Sequence, residues 1–295
     1  MNQRIVLTIS LTVMITLTIL VGVGAVAAVP EMAHRGKNDI HMMTNSLVDP
    51  ISTTEAGDGI VNKYAVIVGI SDYKAISDLS FCDEDATDWY NYLNPLGYQI
   101  TLLGDNHPEN YPFWNNYATE ANVRAALANM FATADEDDIV AYISSGHGGR
   151  SKVGSGRTKY YVQYLCMWDC SAGENGYDGI ITDTEFKEIT APSVSKTFIF
   201  LDHCYSGGMD EIMQNANAAS IYMTTTCTDN GYGYDASAYE NGMWTYIFLE
   251  FTLIDYFGGS ASMEDTFAYA SANYPVTRPG DQPCEFDGSS DSFYL

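Results

Sequence analysis

Basic residues are scarce in this chain: 13 Lys and Arg stand against 38 Asp and Glu, for a formal net charge of −25. Contacts to nucleic-acid phosphates need clusters of Lys and Arg, so nucleic acid is excluded as a partner and cationic partners are favoured. The acids are scattered along the whole chain. Most of the excess therefore reads as a device for solubility, suited to a salty environment, and only carboxylates inside a cleft bear on specificity. Internal repeats and low-complexity tracts are absent, and nothing among the residues calls for an organic cofactor.

Charge is also missing from one long stretch. Arg4 is the only charge at the start, Ile5 to Val29 carries none, and Ala25-Val26-Ala27 supplies small residues near its end. Residues 1–29 read as a secretory signal peptide or, because the run is long enough to span a bilayer, as a retained anchor. Either reading places the body of the protein outside the cytoplasm, secreted or at the outer face of the membrane. Residues 30–60 show no sustained period and read as a pro-segment or tether, leaving 61–295 as one domain.

From Lys63 the elements alternate: strand 64–70, helix 83–93, strand 99–103, helix 120–133 with Thr119 as N-cap, strand 139–143. This is βαβ patterning and predicts a parallel sheet. Further strands are predicted over 160–165, 197–201, 219–224 and 292–295, with helices over 183–189, 243–257 and 262–272. Residues 150–159 are polar, Gly-rich and hold four basic residues, and they read as an exposed flexible loop. Self-cleavage is expected there after Arg150, Lys152, Arg157 or Lys159.

Two apolar runs end in Gly-rich motifs: Ser144-Ser145-Gly146-His147-Gly148-Gly149 and Asp202-His203-Cys204-Tyr205-Ser206-Gly207-Gly208. Open α/β sheets place ligands at the carboxyl edges of their strands, where these motifs would fall. A thiol attacks well only as thiolate, and a neighbouring imidazole can take its proton. His147 and Cys204 are thus the candidate base and nucleophile, with the amides of Gly148 and Cys204 as the candidate oxyanion hole. Strand alternation turns Asp202 toward the cleft with Cys204. Of six cysteines, Cys204 must stay free and Cys82 and Cys227 read as thiols, so Cys166, Cys170 and Cys284 allow at most one bridge.

These motifs resemble the histidine and cysteine motifs of caspase-like cysteine peptidases, and the wider pattern is similar to metacaspases. The likeness extends over Lys63 to Ile70, Phe81 to Ala86, Thr226 to Asp229 and Asn241 to Thr245. It implies a three-layer α/β sandwich around a six-stranded, mostly parallel sheet. It also implies an endopeptidase whose pocket, built from Cys82, Asp85, Ser145 and Asp202, holds Arg or Lys at P1, the residue before the scissile bond. Many metacaspases need calcium, and Asp169 and Asp183 are the matching candidate ligands, although Thr184 stands where the family often has a second aspartate. Two other readings stay open: a legumain-like asparaginyl peptidase or transpeptidase, and a non-catalytic surface protein on the same fold.

Overall fold

The structure, a computed structural model, describes residues 56–295. The 1–29 segment and most of the 30–60 tether lie outside the described residues. Among the described residues no helix is long and apolar enough to cross a membrane.

The runs of Val, Ile, Phe and Leu form strands that are covered on both faces, which is why they read as continuous apolar stretches rather than alternating ones. The strands β1 (Lys63–Gly69), β2 (Gln99–Gly104), β3 (Asn116–Tyr117), β4 (Ile139–Ser145), β8 (Lys196–Asp202) and β9 (Ile221–Thr225) are mutually parallel, and β12 (Cys284–Asp287) closes one edge antiparallel. Their order is β12-β9-β8-β4-β1-β2-β3. The sheet thus has seven strands rather than six. The edge strand is 284–287, not 292–295, and β9 starts only at Ile221, after a 3₁₀ turn.

Alternate residues feed two cores. On one face Val66, Val68, Val140, Tyr142, Ile199 and Leu201 meet α2 (Glu120–Thr133) and α3 (Asp183–Thr190). On the other, Ile67, Ile143, Phe198 and Phe200 meet α1 (Cys82–Leu93), the helix begun by α4 (Met243–Thr245) and α5 (Met263–Asn273). The helix after α4 runs in the π form from Tyr246 to Tyr256. Helix starts are capped as their residues dictate. Thr119 accepts from the Asn122 amide at 3.2 Å, and Thr182 and Glu185 form a reciprocal capping box. Helix α1 lacks a cap of its own, so the hydroxyl of Ser71 accepts from the Cys82 and Asp83 amides at 2.9 and 3.2 Å.

The segment 150–159 is not a flexible loop throughout. Strand β5 (Gly148–Val153) pairs antiparallel with β6 (Tyr160–Cys166), which pairs with β7 (Ile180–Thr182). A short hairpin tip remains, where Arg157 and Lys159 are exposed, while Arg150 is half-buried in the strand. Self-cleavage after Arg150 is therefore disfavoured. All six cysteines are free in the structure.

Trp89 is fully buried, its ring 4.9 Å from that of Phe200 and 5.8 Å from that of Phe198. Truncating such a side chain leaves a cavity that a close-packed interior cannot refill. Trp89→Ala is expected to lower unfolding stability by about 3–5 kcal/mol, measured as a fall in the denaturant midpoint.

Candidate active site

The parallel register aligns the strand ends. Gly69 stands opposite Ser145 across β1 and β4, and Ser145 opposite Asp202 across β4 and β8. Each central strand thus stops at one level, and the two motifs emerge side by side. They line a cleft together with Cys82, Gly233, Tyr234, Asp235 and Gly242. Close approach needs glycine here, since a Cβ on Gly148 would collide with the carbonyl oxygen of Cys204. Tyr205, next after Cys204, has φ 61°, a left-handed backbone that few residues other than glycine adopt. That turn carries the chain sharply away from the thiol.

Nε2 of His147 lies 2.8 Å from the Ser77 carbonyl oxygen. A carbonyl only accepts, so Nε2 carries the ring proton and Nδ1 keeps its lone pair. Burial holds the His147 imidazole below its ordinary value, opposed by the Ser77 bond and by Asp78. The Cys204 thiol is pushed up to about 12, by burial first and then by the Asp202 and Asp235 carboxylates, opposed by its bond to Gly233. Its sulfur lies 3.8 Å from the Gly233 carbonyl oxygen. The resting pair at neutral pH is therefore thiol and neutral imidazole, not an ion pair.

Two residues hold the histidine loop. The Tyr73 hydroxyl accepts from the His147 amide at 2.7 Å, and the two rings lie 5.0 Å apart. Buried His203 bridges Ser144 Oγ at 2.8 Å and the His147 carbonyl at 3.0 Å, and burial lowers its pKa to about 4, so it stays neutral. Neither was singled out from the sequence.

The expected pocket residues converge. Asp85 accepts from the Gly242 amide at 2.8 Å and from Ser145 Oγ at 2.5 Å; Asp202 accepts from the Thr245 amide at 3.0 Å. A Cβ on Gly242 would lie 2.5 Å from an oxygen of each carboxylate, so both flank the space that this glycine leaves open. Cys82 and Asp202 line the cleft, whereas Asp85 sits behind Ser145 at 1 % exposure. Burial and mutual repulsion raise Asp85 well above the carboxylate range. Asp202 is raised to about 7, by burial before the charge of Asp235. Asp235 itself lies in β10 (Asp235–Ala236), which pairs with β11 (Asn241–Gly242), and accepts from the Ser80 amide at 2.9 Å. This third acid was missed because only tertiary folding brings its hairpin over the strand ends.

The candidate calcium ligands are each tied to backbone amides. Asp169 accepts from the Glu120 amide at 2.9 Å, and Asp183 from the Gln163 amide at 3.0 Å and the Thr184 amide at 2.5 Å. Among the described residues the group of three acidic ligands within reach of one ion is Asp58, Asp135 and Asp137, which includes neither.

Comparison with known proteins agrees with this fold. The family described as caspase domain matches residues 62–267. Metacaspase-4 of Arabidopsis thaliana is 28% identical over 155 residues, covering 50% of this chain and 34% of that protein. The chain thus matches about a third of that relative's length. The crystal structure of protein GSU0716 from Geobacter sulfurreducens superposes with a TM-score of 0.59 at 17% identity, over 78% of this chain and 95% of the other, a likeness of fold alone. The chain belongs to the caspase-domain family of cysteine peptidases.

Proposed function

We propose that this protein is an exported endopeptidase that cleaves after Arg or Lys, with Cys204 as nucleophile and His147 as base. The observation that carries this reading is the pair of buried carboxylates at Gly242: Asp202 lines the cleft that also holds Cys204 and His147, and Asp85 backs it from behind Ser145. A buried carboxylate without a counter-charge is costly, and a guanidinium or ammonium on the substrate supplies that charge with hydrogen bonds. An acidic P1 group would meet repulsion instead. Location outside the cytoplasm, with 5–29 as signal or membrane tether, is proposed on that uncharged run.

In this reading Nδ1 of His147 takes the Cys204 proton as sulfur attacks the scissile carbonyl carbon. The Gly148 and Cys204 amides receive the oxyanion, and the imidazolium, steadied by the Ser77 carbonyl, returns the proton to the leaving amine. Water then cleaves the thioester by the reverse proton route.

Fluorogenic peptides ending in Arg, Lys, Asn or Asp test this. Release is expected from Arg and Lys only, and none from Cys204→Ala. Release from Asn alone would favour the legumain-like reading; no release, with Cys204 unlabelled by a thiol-reactive peptide, would favour a non-catalytic surface protein. Asp202→Asn is expected to lower kcat/KM for Arg substrates at least a hundredfold, since breaking a buried ion pair costs about 3–5 kcal/mol.

The raised Asp202 sets a second expectation. Its folded pKa lies above the unfolded one, so the folded state binds the extra proton between pH 4 and about 7, and stability falls as pH rises through that window. At pH 8 the Asp202→Asn variant is therefore expected to melt higher than wild type, by at least the roughly 2 °C that 1 kcal/mol is worth in a domain of this size. At pH 4 the difference should vanish. For Arg substrates, KM is expected to rise as pH drops below about 7, where Asp202 gains its proton, and this limb should be missing in Asp202→Asn.

A further inference from the structure

Beside the turn that carries Cys204 stands a second charged feature. Arg150 lies two residues beyond Gly148 in β5, its guanidinium 4.4 Å from the Tyr161 ring centroid and 4.7 Å from that of Tyr205. Tyr205 is the residue after the nucleophile, and its left-handed backbone belongs to the same turn that presents the thiol. The stack continues: Tyr205 lies 5.2 Å from Tyr232, over which Arg278 sits at 4.6 Å. Arg278 ends on Asp281 at 3.2 Å. Arg150 ends on the amide oxygen of Asn230, whose own nitrogen donates to Asp229 at 2.7 Å.

Among the described residues Arg124 and Arg278 pair with carboxylates and Arg157 is exposed at the hairpin tip, whereas Arg150 is half-buried and pairs with none. That is an unusual place for a guanidinium in a chain with 25 more acids than bases. It is pre-oriented by two rings and one amide, and of its five N–H donors the structure commits one. Fixing the group beforehand reduces the ordering cost of binding and favours a planar, bidentate partner.

We propose that Arg150 is a specificity residue that recognises a carboxylate side chain on the leaving-group side of the scissile bond, in the first or second residue after it. The proposal rests on the reading of the acidic pocket as the P1 site and of the Gly148 amide as part of the oxyanion hole: Gly148 opens β5, and a chain leaving that point along the strand comes to Arg150 two residues on. The preferred substrate then carries a cation before the bond and an anion after it.

Internally quenched peptides with Glu, Gln, Ala or Lys at each of these two positions test the idea, with P1 fixed at whichever residue the enzyme cleaves. A failure of the P1 reading therefore shows in the choice of P1 and leaves this comparison intact. At one of the two positions kcat/KM is expected to favour Glu over Gln roughly tenfold or more, the range of a charge-assisted hydrogen bond. The preference should disappear in Arg150→Gln, return in part in Arg150→Lys and turn toward Lys peptides in Arg150→Glu. Equal cleavage of Glu and Gln peptides by wild type at both positions would overturn the proposal. So would an Arg150→Gln variant that loses activity on all peptides by the same factor, since that marks a structural role.

Discussion

The in-register ending of β1, β4 and β8 is the constraint on which the site depends. Parallel pairing sets Gly69, Ser145 and Asp202 in one row, and with side chains alternating along a strand a slip of one residue would turn every inward group outward. The row is held from below by cores on both faces of the sheet. Above it, the chain has only two residues past each strand end in which to place His147 and Cys204, and it does so with glycines at 146 and 148 and a left-handed Tyr205. The precision of the site is thus inherited from the sheet rather than built by the loops.

Against that rigid base the acidic pocket is a standing cost. Asp85, Asp202 and Asp235 are all raised by burial, and the hydroxyls and amides that reach them only partly offset it. Their neighbourhood would be more stable with amides in place of acids, which is the usual relation between an active site and the fold that carries it. The surface excess of acid has a different origin, because those groups are solvated and scattered.

Much of this was legible in the sequence. Apolar runs such as Ile139 to Ile143 and Thr197 to Leu201 need both faces covered, so the parallel layers follow from composition and spacing. Helix 120–133 was read to the residue because Thr119 caps it and Val123, Leu127, Met130 and Phe131 repeat at helical spacing. The edge strand at 284–287 was not, because Cys284, Glu285, Phe286 and Asp287 alternate half-buried with exposed positions, a weak signal in four residues. Strand β5, unlike its partner over 160–165, was hidden because it is a polar edge strand. Ser77, Tyr73 and Asp235 reach the site from loops and a short hairpin, and no local pattern announces a backbone carbonyl that will fix a tautomer.

The acids also bear on the nucleophile. Asp202 and Asp235 push the Cys204 thiol up, after burial itself, so the sulfur stays protonated and weakly reactive. A substrate cation held by Asp202, as proposed, would offset that repulsion and, by covering the cleft, leave the His147 lone pair to accept the proton. Under the proposed reading, the group that confers specificity then also eases the thiol's ionisation at the moment of attack. A neutral P1 side chain of the same size would fill the pocket without relieving the charge, so discrimination would extend beyond binding into the chemical step, where interactions stronger in the transition state raise the rate.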